Sequence, residues 1–501
     1  MAKLTSLFKD TAIYGVSSIV GRFLNYLLVP LYTMKLPADG GGYGVVTNVY
    51  SYVALLMVIL TYGMESGFFY FSSIHQDNNQ KVYTTSLSSL MCTCLLFLLG
   101  VLLFIHPVSS FLGYQQHPEY LGLMALVVSM DAFLAIPFAH LRYLKRPIVF
   151  AVRKMLFIFC SIGFNLFFLI VCPWLMKHAP HTIDWFYDPS YLVGYIFIAN
   201  LLATAIQFLC FLPELVRLKW TFDKVLLTRM LRYSGPILIL GVVSILNRSL
   251  DKIVFPYLYG GDHKEAMHEL GIYGASVKVA MIMSMLLQSF RYAYEPFVFG
   301  QKNTTGEAAK KSYSDAMKYF CMFSLLTFLL VMCFIDILKY FIAEDYWAGL
   351  QVVPVVMVAE LLVGIYFNLS FWYKLKEQTK WGAYFALAGF VVILLGNILF
   401  VPYFSYMASA WASVAGYLLI TLLSYFIGQH YYPVDYQIKR IGSYMLVAVA
   451  ILLLYEFVPM DSWSIWVKYP VRMLLLGSYI WFMDRHDFPL RPLVNRLLLK
   501  K

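Results

Sequence analysis

One pattern of ionisable residues occurs twice inside apolar stretches, and it limits what this chain can fold into. In the first copy Arg22 stands eight residues before Pro30, with Asn25 three after the arginine. In the second, Arg248 stands eight before Pro256, with Asp251 three after. Each copy then runs to a Tyr-Gly pair, Tyr43-Gly44 and Tyr273-Gly274, and a glutamate follows each tyrosine by 22 residues, Glu65 and Glu295. Asp131 and Glu360, 229 residues apart, echo the 230-residue offset of the Tyr-Gly pairs. Ionisable groups in membrane spans are costly and usually functional. Their recurrence at matched positions predicts a duplicated membrane bundle whose purpose lies between its halves, the architecture of a transporter.

The surrounding sequence demands a membrane. Of 501 residues 61% are hydrophobic and 13% charged, against about 25% charged in soluble proteins. A soluble core of this length cannot hide so much apolar surface, so lipid must solvate the rest. The first apolar stretch continues past 20 residues with no small-residue exit, and is expected to stay as a helix rather than be cleaved. The seven cysteines fall inside apolar spans and form no CxxC or His-rich metal pattern. No metal or other cofactor is expected.

Crossing a bilayer takes about 20 apolar residues. Fourteen such spans are predicted, near 11–34, 43–71, 84–106, 119–143, 150–174 and 190–212, then 231–258, 270–299, 316–338, 350–373, 381–401 and 404–428, and finally 441–459 and 463–483. Only the Pro402–Ser405 stretch separates the two spans within 381–428. With the N-terminus inside, the even connections and termini hold 27 Lys and Arg and the odd connections five: Lys35, Lys177, Lys264, Lys339 and Lys468. Basic residues mark the cytoplasmic side, so both termini are expected in the cytoplasm. The net charge of +11 follows the loops, which argues against a nucleic-acid partner.

Six spans per repeat give the two halves one orientation. The expected fold class is all-α, a polytopic membrane protein of about 14 helices. Two six-helix bundles, 1–225 and 226–430, would be related by a pseudo-twofold along the membrane normal, with two further helices and a tail in 431–501. The run Gly40-Gly41-Gly42 precedes no Lys-Ser/Thr and follows no strand, so it is not read as a phosphate-cradling loop. Without an ATPase module, uphill transport would draw on a proton or sodium gradient or the membrane potential.

Ten ionisable residues are assigned to the spans: Arg22, Glu65, Asp131, Arg248, Asp251, Lys252, Lys278, Arg291, Glu295 and Glu360. Facing lipid, each would cost about 2.5–3.5 kcal/mol at mid-membrane, so most are expected to face the bundle interior or water. Arg248, Asp251 and Lys252 share one helix face, and Arg291 and Glu295 are i, i+4. One reading is ion pairing that only fixes packing. The other is a hydrated cavity whose guanidinium forks grip phosphate bidentately. Arg22, Asn25, Arg248, Asp251, Lys252, Lys278 and Arg291 are then candidates for binding an anionic head group. Glu65 and Glu295, near the cytoplasmic ends of their helices, are candidate gate residues, and the deeper Asp131 and Glu360 candidate proton sensors. Pro30 and Pro256 are candidate kinks.

The run Lys9-Asp10-Thr11, Tyr14-Gly15, Gly21-Arg22, Pro30-Leu31-Tyr32, Tyr43-Gly44 and Tyr62-Gly63-Met64-Glu65 resembles bacterial polysaccharide-export flippases of the Wzx type. These belong to the multidrug/oligosaccharidyl-lipid/polysaccharide (MOP) exporter superfamily. The resemblance extends to the layout of fourteen helices in two bundles plus two. It implies a protein of the bacterial cytoplasmic membrane that moves undecaprenyl-pyrophosphate-linked oligosaccharides between leaflets for O-antigen, capsule or exopolysaccharide synthesis. A cationic cavity would take the head group, with Arg22 and Arg248 facing the pyrophosphate, while the tail stays in membrane lipid. A polysaccharide polymerase and chain-length machinery are the partners so implied.

Rival expectations are a lipid II flippase or a multidrug exporter of the same superfamily, or a membrane-embedded polymerase or acyltransferase. The multidrug reading wants a net acidic cavity, whereas five basic and five acidic groups balance here. An enzyme of that kind generally shows a large outer loop or a membrane histidine with an acidic partner. His140, beside Arg142 at a helix end, reads as a boundary residue.

Overall fold

The computed structural model describes residues 20–21, 23–74, 78–300, 307–458 and 463–488, and no β-strand occurs among them. The spans are built from α1 (Leu28–Lys35), α2 (Gly42–Thr61), α3 (Met64–Ile74), α4 (Asn79–Leu103), α5 (Glu119–Tyr143), α6 (Pro147–Leu166) and α7 (Leu192–Val216). They continue with α8 (Lys224–Leu258), α9 (His263–Gly300), α10 (Glu307–Cys333), α11 (Val353–Leu369), α12 (Lys380–Tyr431), α13 (Ile438–Phe457) and α14 (Ile465–His486). The chain is thus an all-α polytopic membrane protein.

Ten stretches among the described residues are long and apolar enough to cross a membrane. One of them, α12, has 52 residues, which at 1.5 Å per residue is about 78 Å and more than twice the hydrocarbon core. Ser405, at φ 50° and ψ −142°, breaks it in two, within the stretch where the sequence separates two spans. α8 and α14, at 35 and 22 residues, are also long enough to cross. Of the predicted first span, 11–34, residues 11–19 and 22 lie outside the described residues.

Local sequence explains where helices begin and break. Pro147 opens α6 in its first turn, where a missing N–H costs nothing. Asp223 caps α8, its carboxylate accepting from the N–H groups of Val225 and Leu226 at 2.9 and 3.0 Å. α2 and α3 form one interrupted stretch, broken at Tyr62 and Gly63, both at positive φ. The helix preceding α1 is interrupted at Leu27, and Pro30 follows in the first turn of α1. Pro256, by contrast, lies in the last turn of α8, two residues before its end.

Two compact units emerge. The first takes the chain through Ala275 together with Phe390–Ala412; the second takes Ser276–Gly389 and the chain from Ser413 onward. In the first, α5 packs on α2, α4 and α7, and α8 packs on α2, α3 and α4. One core in it gathers Met64, Phe68, Leu87, Leu90, Ile136 and Phe211. Packing therefore groups α8 with the helices before it, whereas the sequence repeat groups it with those after it.

In the second unit α11, α13 and α14 all pack on α10, around Met322, Leu329, Tyr444 and Tyr479. Two carboxylates fasten the trailing pair to it. Asp487 accepts from Lys318 of α10 at 2.9 Å and from Arg440 and Tyr444 of α13, each at 2.8 Å. Burial would raise this carboxyl, but those donors and the Lys318 and Arg440 charges hold it below its ordinary value. Towards the other end of α10, Asp336 meets Lys468 at 2.8 Å and Arg472 at 2.7 Å. Arg472 is 1% exposed; it stands in the apolar stretch 463–483 and belonged with the buried charges by the criterion that found the others.

Candidate functional site

The first unit has a basic end, with Lys81, Arg142, Lys145 and Arg146, and a base-poor end formed by the connections 36–41, 104–118 and 259–262. At the base-poor end α2 and α9 cross so closely that side chains are excluded. A Cβ on Gly44 would sit 1.8 Å from the Met267 carbonyl oxygen, and one on Gly274 would sit 2.4 Å from Thr47 Oγ1. The two Tyr-Gly pairs of the repeat thus meet at one crossing, where small residues let helix backbones touch.

Beside this crossing, Asp251 of α8 is 4% exposed. Lys252 Nζ lies 3.0 and 2.8 Å from its two carboxylate oxygens, and the Tyr273 hydroxyl donates to Oδ2 at 2.6 Å. The Lys252 carbonyl accepts from Asn48 Nδ2 of α2 at 2.7 Å, and Asn48 Oδ1 accepts from the Tyr114 hydroxyl at 2.6 Å. Tyr52 of α2 and Tyr257 of α8 share a hydroxyl contact of 3.0 Å. Tyr406 stacks on Tyr273 with ring centroids 6.3 Å apart, and Ser405 donates to Glu269 of α9 at 2.6 Å. A buried carboxylate is tolerable only when paired and fully hydrogen-bonded. Here its partners come from α8 and α9, and the bonds run on to α2 and the 104–118 connection.

The basic end is built differently. Glu65 of α3 pairs with Arg142 of α5 at 2.5 Å, and both side chains are about a third or more exposed (42% and 34%). The Arg142 guanidinium also lies 5.2 Å from the Phe69 ring centroid. Arg153 grips Glu214 with two bonds, 2.5 and 3.0 Å. Lys154, one of the 27 basic residues assigned above to the even connections and termini, lies in the second turn of α6, 4.3 Å from the Phe138 ring centroid. It is the charged neighbour of half-buried Asp131. His140 stacks on Tyr83 at 4.0 Å. Lys81 bonds Asp223 at 2.7 Å; that bond first, then the α8 N–H groups, lowers the Asp223 carboxyl to about 2.

In the second unit Arg291 lies 4.2 Å from the Phe367 ring centroid, and Lys374 reaches the Phe367 and Phe371 rings at 5.1 and 4.9 Å. Lys278 and Glu360 are half-buried.

The candidate residues therefore separate. Asp251 and Lys252 neutralise each other, while Arg248 on the same helix is exposed, as is Asn25. Glu65 has its partner within its own repeat. Arg22 and the Glu295 side chain lie outside the described residues. Asn48, Tyr114, Arg142 and Lys154 were not singled out from sequence. The Tyr114–Asn48 bond joins residues 66 apart and the Asn48–Lys252 bond residues 204 apart, so no local spacing announces them.

A polytopic helical membrane bundle with buried charges is the class that fold and site define, and the comparisons add a family. The family described as "Polysaccharide biosynthesis protein" matches residues 7–297, more than half of the chain, and the chain belongs to it. Its fold is shared with solved MOP superfamily proteins. The lipid II flippase MurJ in an inward closed conformation superposes with a TM-score of 0.70 at 13% identity, covering 95% of this chain and 99% of that one. An inward-facing multidrug resistance MATE family transporter of the MOP superfamily gives 0.64 at 14%, covering 84% and 94%. A MOP superfamily transporter from Pyrococcus furiosus, described by the reverse polarity of its binding pocket, gives 0.53 at 14%, covering 84% and 95%. No curated protein sequence is significantly similar.

Proposed function

We propose that this protein flips lipid-linked oligosaccharides, carrying undecaprenyl-pyrophosphate-linked repeat units across the bacterial cytoplasmic membrane for surface polysaccharide synthesis. The observation that carries the reading is the union of a polysaccharide-biosynthesis family match with a MOP transporter fold. A glycan head has many hydroxyls and a charged pyrophosphate, and each unpaired polar group costs several kcal/mol in hydrocarbon. A protein that hydrates the head while the tail stays in lipid removes most of that barrier. Arg248, exposed on α8, and Arg22 are the proposed pyrophosphate contacts. Lys278 and Arg291 are further candidates, and Asp131, beside Lys154, and Glu360 are the proposed proton-linked acids.

The likeness to MurJ favours lipid II as the second substrate to try. Purified protein in proteoliposomes should flip a polyprenyl-pyrophosphate-linked oligosaccharide faster than lipid II. Arg22→Ala and Arg248→Ala should each abolish most of that flipping, with lysine restoring only part because it lacks the bidentate fork. Full activity of the double alanine variant would refute the pyrophosphate role, and a preference for lipid II would change the substrate. An impermeant label reaching a cysteine at Lys145 from outside would overturn the cytoplasmic assignment of the basic end.

A further inference from the structure

The 104–118 connection is fastened to three helices that it does not join. Tyr114, 5% exposed, donates its hydroxyl to Asn48 of α2 at 2.6 Å. Phe111 stacks on Tyr257 of α8, ring centroids 5.9 Å apart and planes 29° apart. Gly113, at φ 80°, runs so close to His263 at the start of α9 that a Cβ would fall 2.3 Å from the ring. That ring meets Tyr114 edge-on at 6.1 Å. The segment has a form of its own: a two-turn helix, Ile105–Leu112, then a bond from Gln115 Nε2 to Ser110 Oγ of 2.9 Å. α4 and α5, which it links, already pack on each other. A plain connection would need none of these contacts.

We propose that residues 104–118 form a strap across the base-poor end, latched by the Tyr114 hydroxyl, and that α2 and α8 part there only after the strap lifts. The proposal rests on the flippase reading above, with the head-group cavity open to one side of the membrane at a time and this base-poor end facing outside. The latch couples the strap to the seal itself, because Asn48, which receives the Tyr114 hydroxyl, holds the Lys252 carbonyl with its other amide atom. It consists of neutral hydrogen bonds, each worth little net, as a contact broken in every cycle must be. Burial of Tyr114 and Asn48 means water cannot replace those bonds until the strap moves.

Two measurements on the full-length protein in proteoliposomes test this. Ser51→Cys places a thiol on α2 at a position 6% exposed, read with an impermeant maleimide against protein carrying only the native cysteines. Adding Tyr114→Phe should speed labelling about two- to tenfold, the range that one net hydrogen bond sets; equal rates would overturn the latch. Phe111→Cys with Tyr257→Cys, oxidised to a disulfide, should slow labelling and stop flipping of polyprenyl-pyrophosphate-linked glycan, both returning with reductant. Cross-linked protein that labels and flips like its reduced form would overturn the strap. Ser110→Cys with Gln115→Cys closes a disulfide inside the strap and should change neither readout; loss of both would show that the segment does not lift as one piece. Labelling needs no substrate. A wild-type protein that flips no lipid-linked glycan therefore refutes the substrate reading while the labelling result stands.

Discussion

Both ends of the first unit hold an acid–base pair, and the two pairs have almost nothing else in common. Asp251–Lys252 is buried, with side chains 5% and 17% exposed, and its acid also receives a tyrosine hydroxyl. Glu65–Arg142 is partly open to solvent, at 42% and 34%. Coulomb attraction grows as the dielectric falls, but so does the cost of leaving one partner behind. The buried pair is therefore hard to break one residue at a time, and the open pair is nearly replaceable. The lesson is that two charges picked out by one sequence pattern need not share a role. Glu65 ties α3 to α5, whereas Asp251 joins α8 to α9 and, through the Lys252 backbone, to α2.

Four changes break or sharpen that contrast, in descending size. Lys252→Met leaves Asp251 buried without its cation and should cost about 3–5 kcal/mol of stability or of closure at that end, read by thermal unfolding in detergent and by thiol labelling. Adding Asp251→Leu should recover much of the loss, and no recovery would mean that the pair is more than mutual neutralisation. Gly44→Ala comes next. Its Cβ meets backbone rather than a flexible side chain, so α2 and α9 must shift at about 1–3 kcal/mol, whereas Gly100→Ala, with open space around it, should be silent. Glu65→Gln at the basic end should cost about 1 kcal/mol or less; a loss as large as that of Lys252→Met would erase the contrast.

The smallest effect concerns pH. Asp223 is partly exposed, yet its carboxyl is lowered to about 2 by Lys81 and the α8 N–H groups. A depressed folded-state value means that its contribution is present above the ordinary carboxylate value, near 4, and is lost as pH falls through about 2. Lys81→Met should lower Tm slightly at neutral pH, and the difference from wild type should close between about pH 4 and pH 2. A difference that persists at pH 2 would assign Lys81 a packing role instead.

Much of this molecule was legible before its structure. Spans follow from hydropathy, but α6 and α8 begin three and seven residues before the predicted 150 and 231, at Pro147 and behind the Asp223 cap; such start and stop signals act within a turn or two. The break near Pro402–Ser405 was readable for the same reason. Partners were not readable. Arg142 finds Glu65 across 77 residues and Tyr114 finds Asn48 across 66, separations that carry no periodicity. Lys154 was grouped with the connecting basic residues because it stands near the start of its predicted span, next to Arg153; only the structure sets it beside Asp131.

By itself the sequence determined an all-helical membrane protein with a duplicated plan, since apolar length and the offset between repeats are properties of the chain alone. It also marked Gly44 and Gly274 as equivalent. Only the tertiary structure decided that these glycines face one crossing, that Asp251 is spent on Lys252 and Tyr273, and that the 104–118 connection fastens to Asn48 of α2. Such outcomes depend on which helix lies beside which, and a side chain's dielectric surroundings, hence the worth of its charge, are set by neighbours the local sequence does not name.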